Sequence, residues 1–379
     1  MKRKIVFILG AGASKQGGAP VMRDFLDEAF RLWKEDRVQD EEAFEAVFEA
    51  RSILQQVFSK SYLDIHNIET VFAAFDMAKV LGGFGSYGEE EIDQLINSMR
   101  SLIVETIEST LAYGPQTPGP SPPDPPKPYG PFVKLLEEVK KRFSVSIITF
   151  NYDLGIDYAI KWLWYNSGKL ETDYGLGEFR GTLPTQIPVL KLHGSLNWRT
   201  CKNKDCRAIC AFPIDDNTVG HCFVAAPPTT NSSFLRSGRV YQEAKCKTCN
   251  SDLADHPVVV PPTWNKTGYH QELSSVWSRA ASELKQAEQI VISGYSLPES
   301  DYFFRYLYAL GTVGSEVLLR FLVFDPDETG TVRDRYMKIL GGALRDRFKL
   351  ISLTFEEGIS YMEERLVGPS SGSARSIYW

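Results

Sequence analysis

The sequence predicts an α/β protein built on a parallel sheet, and three short strings carry that prediction. They are Gly10-Ala11-Gly12-Ala13-Ser14, Thr149-Phe150-Asn151-Tyr152-Asp153 and Lys191-Leu192-His193-Gly194-Ser195. Each follows a short apolar run of the kind that suits a strand buried on both faces. Each also delivers a turn or a polar side chain to the end of that run. In an open α/β sheet this edge is where ligands bind.

The first run is Lys4-Ile5-Val6-Phe7-Ile8-Leu9. Gly10 and Gly12 then permit a tight turn and close approach of a ligand to the backbone. Ser14 follows, and an amphipathic pattern over 21–33 predicts the next helix. Strand, glycine turn and helix in succession set backbone N–H groups against a pyrophosphate. The third glycine of the standard dinucleotide fingerprint is missing at its usual spacing. A glycine turn that merely closes a strand–helix unit is therefore the competing reading. Asn151 and His193 have plain readings as well, as a turn or cap residue and as a structural, hydrogen-bonded ring. Their places at the ends of separate candidate strands favour a functional one.

Residues 10–23 read Gly-Ala-Gly-Ala-Ser-Lys-Gln-Gly-Gly-Ala-Pro-Val-Met-Arg. This resembles the sirtuin cofactor loop, with Gly10, Ala11, Gly12, Ser14, Gly18, Pro20 and Arg23 in register. Val21 and Met22 stand where the family has Asp and Phe. Ser146-Ile147-Ile148-Thr149-Phe150, leading to Asn151 and Asp153, resembles the family's Thr-Gln-Asn-Ile-Asp segment. Pro188-Val189-Leu190-Lys191-Leu192, leading to His193-Gly194, resembles the strand that delivers its catalytic His. Ile290-Val291-Ile292-Ser293-Gly294-Tyr295-Ser296-Leu297 resembles its Gly-Thr-Ser loop. Phe321-Leu322-Val323-Phe324-Asp325 ends in an acid where the family usually places an Asn. The five segments occur in the family's order and cover 1–35, 144–200 and 250–330, roughly half the chain.

The resemblance implies a Rossmann-like, sirtuin-like NAD-binding domain over 1–35, 144–200 and 250–366. It implies that NAD is consumed by cleavage of its nicotinamide–ribose bond. Asn151, His193 and Asp153 are then the catalytic candidates. Gly10, Ala11, Gly12, Ser14, Arg23, Gly294, Ser296 and Asp325 are the cofactor-binding ones. The leaving group is already cationic, so the enzyme must stabilise an oxocarbenium-like ribose and place a nucleophile on its opposite face.

Six cysteines cluster between 201 and 249. Cys201 and Cys206 make a C-x4-C pair, and Cys246 and Cys249 a C-x2-C pair, a spacing that suits a structural zinc site. The expected zinc-ribbon module covers 201–249. Cys210 is an alternative ligand, and Cys222 reads as a spare thiol. Disulfides are disfavoured in a cytoplasmic chain. Sirtuins carry a comparable ribbon at this place. Arg199, Lys202, Lys204 and Arg207 make the module basic, which usually marks only a solvated surface.

A helical insertion with a proline tract is expected over 36–143. Amphipathic patterns cover 41–58, 65–79 and 91–111. Asn67-Ile68-Glu69 resembles a phrase of bacterial sirtuin-like NAD hydrolases; His66 beside it is expected to cap or pack. Prolines crowd 114–129 and predict an extended surface loop or spacer. A helix over 132–143 then feeds the Asn151 strand. Beyond Asp325, further elements are expected over 331–342, 348–353 and 358–366. Residues 367–379 read as a flexible tail with an apolar Ile377-Tyr378-Trp379 end.

Two chemistries diverge after nicotinamide leaves: water attacks in a hydrolase, an acyl-lysine oxygen in a deacylase. The peptide-clamping strand of deacylases commonly ends in Phe-Gly-Glu. Here the matching place reads His256-Pro257-Val258-Val259-Val260-Pro261-Pro262-Thr263-Trp264-Asn265. Two prolines remove donors that an added peptide strand would need. The expectation is therefore an NAD glycohydrolase, in the anti-phage setting that resemblance to the bacterial branch implies. A protein deacylase and a non-catalytic NAD or ADP-ribose sensor are the alternatives.

The net charge of −6 gives no strong nucleic-acid signal. No apolar run has membrane-spanning length, and the basic N-terminus makes a poor signal peptide. A cytoplasmic location is expected, with a homo-oligomer or an activating protein as candidate partners.

Overall fold

The computed structural model describes residues 2–56, 63–115, 122–168, 170–177, 181–212, 214, 222–225, 232–237, 244–260, 273–298, 301–313 and 317–368. Its helices are α1 (Phe25–Lys34), α2 (Glu41–Gln56), α3 (Ile68–Leu81), α4 (Glu89–Thr110), α5 (Tyr129–Lys140), α6 (Gly155–Ser167), α7 (Ser274–Lys285), α8 (Tyr302–Gly311), α9 (Thr331–Ile339) and α10 (Phe355–Met362). Its strands are β1 (Arg3–Leu9), β2 (Phe143–Thr149), β3 (Glu171–Asp173), β4 (Gln186–Lys191), β5 (Gly194–Ser195), β6 (Trp198–Thr200), β7 (Ile209–Ala211), β8 (Phe223–Ala225), β9 (Ser233–Leu235), β10 (Val258–Val259), β11 (Gln289–Ser293), β12 (Arg320–Phe324) and β13 (Phe348–Ile351). They fall into two compact units. One comprises Met1–Gly17, Tyr113–Leu192 and Leu273–Trp379, the other Gly18–Ala112 and His193–Glu272.

The first unit is a seven-stranded sheet in the order β13-β12-β11-β1-β2-β4-β3, and every pair is parallel. The apolar runs are continuous because both faces are covered. On one face Ile5, Phe7, Ile147 and Val189 join a core with Phe132 and Leu136 of α5, Ile156 and Ile160 of α6, and Phe355 and Ile359 of α10. On the other, Phe321 of β12 meets Tyr308 of α8 and Tyr336 of α9 edge-on, at 5.5 and 5.8 Å. This is the Rossmann-like parallel sheet that the sequence led us to expect. From β1 the strands continue through β2 on one side and through β11 on the other. The strand order turns there, between β1 and β11.

Three expectations need correction in detail. The helix does not follow the glycine turn directly. Two single 3-10 turns, Ala11–Ala13 and Lys15–Gly17, come first, and α1 lies in the second unit. The helix before β2, assigned with the insertion, packs into the sheet unit's core instead. The proline tract is no solvated spacer where it is described. Pro123, Pro126 and Pro128 are buried, Gly114 N donates to Asp124 O, and Tyr158 of α6 donates to Pro123 O at 2.6 Å. Tyr113 packs edge-on against the Tyr158 ring at 5.0 Å. Pro118 and Pro120 lie outside the described residues, as do Val57 and Phe58 of the expected second helix and the Ile377-Tyr378-Trp379 end.

The Tyr158 contact makes a testable anchor. Tyr158→Phe leaves a buried carbonyl without its donor, so about 1–2 kcal/mol of stability should be lost. The urea midpoint should fall with the slope unchanged. An unmoved midpoint would mean that the tract is held by other contacts.

The second unit holds α1–α4 and the antiparallel pairs β5–β10, β6–β7 and β8–β9. Trp33 of α1 stacks on Phe48 of α2 at 5.6 Å. The Asn67-Ile68-Glu69 phrase has a structural job here. Asn67 Oδ1 accepts from Glu69 N at 2.8 Å and caps α3, while Ile68 is buried. His66 is exposed, its Nδ1 3.1 Å from Arg51 Nη2. No described helix is long and apolar enough to cross a membrane.

Candidate functional site

The ends of β1, β2 and β11 converge in the sheet unit. After β1 the chain turns through Gly10–Ser14, and after β11 through Gly294 and Tyr295. Gly10 N donates to Ser293 O at 3.1 Å and Gly12 N to Gly294 O at 2.9 Å. A Cβ on Gly10 would come within 2.5 Å of Gly294 O, and one on Gly12 within 2.8 Å of Gly294 Cα. The glycines let two loops touch backbone to backbone. This is a different use from the expected close approach of a ligand. Ala13 N and Ser14 N also donate inside the turn, to Gly10 O and Ala11 O. Four amides of the loop are thus already engaged within the protein.

Asn151 lies just beyond β2, and its side chain grips this loop. Its Nδ2 donates to Gly10 O and to Ser14 Oγ, both at 3.0 Å, with Tyr129 OH at 3.4 Å. The Gly10 carbonyl can only accept, which fixes the amide orientation. Ser14 Oγ donates to Asp153 Oδ2 at 2.7 Å and lies 2.7 Å from Tyr129 OH. Asp153 Oδ1 accepts from Gly155 N at 2.8 Å. Phe150 stacks on Tyr295 at 4.2 Å and ties β2's end to the β11 loop. A single buried network therefore joins Gly10, Ser14, Asn151 and Asp153.

Burial pushes the Asp153 carboxyl above its ordinary range, and the Lys191 ammonium opposes that push. Burial likewise raises the Tyr129 phenol well above its usual value, with the nearby Asp153 charge adding to it. Lys191, at the end of β4, is fully buried. It donates to Asp153 O at 2.6 Å and to Asp157 Oδ2 at 2.9 Å. Tyr174 OH donates to the other Asp157 oxygen at 2.7 Å.

Asp325 directly follows β12 and is half-buried. Its Oδ1 accepts from Asp327 N at 2.9 Å, and burial raises its carboxyl. Ser296 O accepts from Arg335 at 3.3 Å. Tyr336 OH donates to Tyr295 O at 2.6 Å and braces the β11 loop.

His193 and Arg23 fall in the second unit. His193 is its first residue after β4; the ring is buried and its carbonyl accepts from Val260 N at 2.8 Å. Arg23 is exposed. Sequence reasoning missed Tyr129, Asp157 and the buried role of Lys191. Lys191 left one legible signal, a charge closing an apolar run. Tyr129 left none, being 115 residues from Ser14.

The sulfurs of Cys201, Cys206, Cys246 and Cys249 lie within 4.8 Å of one another. Tetrahedral zinc with bonds of about 2.3 Å sets its sulfurs about 3.8 Å apart. Here Cys206 Sγ is 3.8 Å from Cys246 Sγ and Cys201 Sγ is 3.4 Å from Cys249 Sγ. Both loops have the same local design. Asn203 N donates to Cys201 Sγ and Thr248 N to Cys246 Sγ, each at 3.4 Å. Arg207 and Asn250, the residues after the second cysteine of each pair, are both left-handed. The donor set fits a structural zinc ion. Cys210 touches Cys246 Sγ at 3.8 Å but is outside the four. Cys222 is buried, and its carbonyl accepts from Arg236 N.

No family model matches the chain, and no curated protein matches it. Among solved structures it is similar to Sir2 with a p53 peptide and NAD+, at 13% identity over 96% of this chain and 93% of that one, with a TM-score of 0.38. It is similar to a mutant Sir2 homologue in complex with ADP-ribose, at 16% identity over 96% and 92%, with a TM-score of 0.37. It is also similar to Sir2Tm bound to a propionylated peptide, at 14% identity over 96% and 93%, with a TM-score of 0.34. All three are Sir2 proteins.

Proposed function

We propose that this chain is an NAD-consuming enzyme that breaks the nicotinamide–ribose bond and hands the ribose to water, releasing nicotinamide and ADP-ribose. The observation that carries this reading is the place of Asn151. It stands at the C-terminal end of β2 with its amide on the glycine loop of β1, and beside that loop, between β1 and β11, the strand order turns. A parallel α/β sheet takes its nucleotide at such a point. The sequence resemblance to sirtuins supplies the nucleotide's identity as NAD.

In this reading Asn151 holds the attacking water or a ribose hydroxyl in line. His193 takes the proton released, since an imidazole titrates near working pH. Asp153 orients the ribose or the loop. Gly10, Ala11, Gly12, Ser14, Gly294 and Ser296 line the diphosphate, Arg23 approaches it, and Asp325 binds the adenine-side ribose. The engaged amides of the β1 loop make its glycines shapers of the site more than donors to it. A zinc ion on Cys201, Cys206, Cys246 and Cys249 holds its module together and takes no part in bond cleavage.

Hydrolysis is preferred to deacylation because the deacylase's Phe-Gly-Glu is absent from the segment after His256. The described strand there has one edge taken: Val258 and Val259 pair with β5, and Val260 N bonds His193 O. Pro261 and Pro262, the other half of that argument, lie outside the described residues. The four-cysteine module favours deacylation as the second reading, because the resemblance shares it with protein deacylases. Hydrolysis of a shared nucleotide pool suits a cytoplasmic anti-phage role, gated by an activating protein or by self-assembly.

The test is NAD turnover by the purified protein, with and without an acetylated peptide. Peptide-independent nicotinamide release is expected. It should fall about 10²–10⁴-fold in Asn151→Ala and in His193→Ala. Strict peptide dependence with an acetylated ADP-ribose product would replace the hydrolase with the deacylase. Tight NAD binding without turnover would favour a sensor.

A further inference from the structure

We propose that Lys191 is a positioning residue: its buried ammonium fastens the turn that carries Asn151 and so fixes where that amide stands. The functional half of this proposal rests on the NAD-cleaving reading; the structural half does not.

Residues 151–154 bridge the end of β2 and the start of α6. They belong to no strand or helix, and Leu154, the N-cap of α6, offers no side-chain cap. Yet Asn151, Tyr152, Asp153 and Leu154 are all buried. Their backbone groups therefore need partners inside the protein. Asn151 N donates to Thr149 Oγ1 and Leu154 O accepts from Tyr158 N, while Lys191 supplies the Tyr152 and Asp153 carbonyls from the neighbouring strand. Its Nζ reaches Asp153 O at 2.6 Å, Tyr152 O at 3.4 Å and Asp157 Oδ2 at 2.9 Å. An ammonium has three protons, so these three acceptors account for all of them. The side chain is fully buried, away from bulk solvent.

The turn is thus held from two sides. Lys191 holds its carbonyls, and Asn151 Nδ2 holds Gly10 O and Ser14 Oγ. Without the ammonium, the buried Asp153 carbonyl loses the donor that reaches it at 2.6 Å, and the turn must move to find another. Asn151 would move with it. A shift of about 1 Å in a group that aligns a reacting atom costs about 10²-fold in rate. An ion pair kept only for stability would make a different prediction. Its loss would change the unfolding temperature and leave the balance of kcat and KM alone.

The experiment compares two variants of the full chain. Lys191→Met alone would strand the Asp157 charge in the core, so the first variant is the double Lys191→Met/Asp157→Leu. It removes both charges together. Its kcat for NAD is expected to fall about 100-fold with KM within about threefold. Its crystal structure is expected to show Asn151 Nδ2 parted from Gly10 O. Unchanged kcat with that contact intact overturns the proposal. The second variant, Asp157→Asn, breaks the ion pair but leaves Lys191 on the two carbonyls. It should keep kcat and the Asn151–Gly10 contact. If Lys191 leaves the carbonyls there and Asn151 stays, or Asn151 moves while Lys191 stays, the proposal falls. Asp157→Asn still exposes the proposal to refutation should the double variant not fold. If the parent protein turns over no NAD, the hydrolase reading fails. The two crystal structures then still decide what Lys191 does.

Discussion

Gly294→Ala is expected to remove about 3 kcal/mol or more of stability and to lower the unfolding temperature by roughly 6–12 °C. Two costs add. The residue is left-handed at φ +65, and a Cβ there would stand 2.1 Å from Ala13 N and 2.5 Å from the Gly12 carbonyl carbon. Those atoms are backbone, so no rotamer change relieves the clash. The glycine loop itself must withdraw from the β11 loop. Gly82→Ala is the matched control. It is left-handed too, at φ +74, with nothing within 4 Å of its Cβ. It should show the conformational cost alone, about 1–2 kcal/mol. Equal losses in the two variants would mean that the loop contact contributes nothing. The Gly294 variant should also lose NAD binding, because the same contact shapes the proposed diphosphate site.

Purified protein is expected to carry one zinc ion per chain, and removing it should unfold the module around Cys201 and Cys246. Structural zinc sites in small modules contribute on the order of 10 kcal/mol of apparent binding free energy at neutral pH. Among the described residues, the four cysteines close a core of only Cys201, Cys210, Cys246 and Leu253, with Cys206, Ala208, Phe212 and Ala244 packed against it. So small an apolar cluster cannot hold such a module unaided. Chelation should produce an early unfolding transition that added zinc reverses. Serine at Cys201, Cys206, Cys246 or Cys249 should abolish zinc retention by elemental analysis. Serine at Cys210 or Cys222 should leave it intact. Zinc retained by Cys246→Ser and lost by Cys210→Ser would move Cys210 into the ligand set. A fully stable, metal-free protein would remove the zinc site altogether. The first unit, with its own sheet and core, should keep its transition in either case.

The sheet was legible because burial on both faces leaves a signal that needs no context. Lys4–Leu9, Ser146–Phe150, Ile290–Ser293 and Phe321–Phe324 are apolar at most of their positions, and each belongs to a central strand. The residues that follow them were legible for the same reason. A strand end is fixed by its strand, so Asn151, Asp153, Gly294 and Asp325 fall at one edge of the sheet once the strands are known. The cysteine pairs were legible because a metal needs its ligands at short, regular spacings within each loop.

Only the tertiary structure decided what those residues touch. Gly10 and Gly12 read as room for a ligand, but they make room for Gly294, from a far later stretch of the chain. The proline tract looked like a solvated spacer, since composition records stiffness and not what lies beneath. Tyr158 supplies the donor that brings it down onto α6. Tyr129 reached the Ser14 and Asn151 network with no motif to announce it. Sequence alone thus determined which side chains arrive at the edge of the sheet. Pairing between distant segments determined their partners, because hydrogen-bond partners and close backbone contacts are set by distance in space, which chain spacing does not encode.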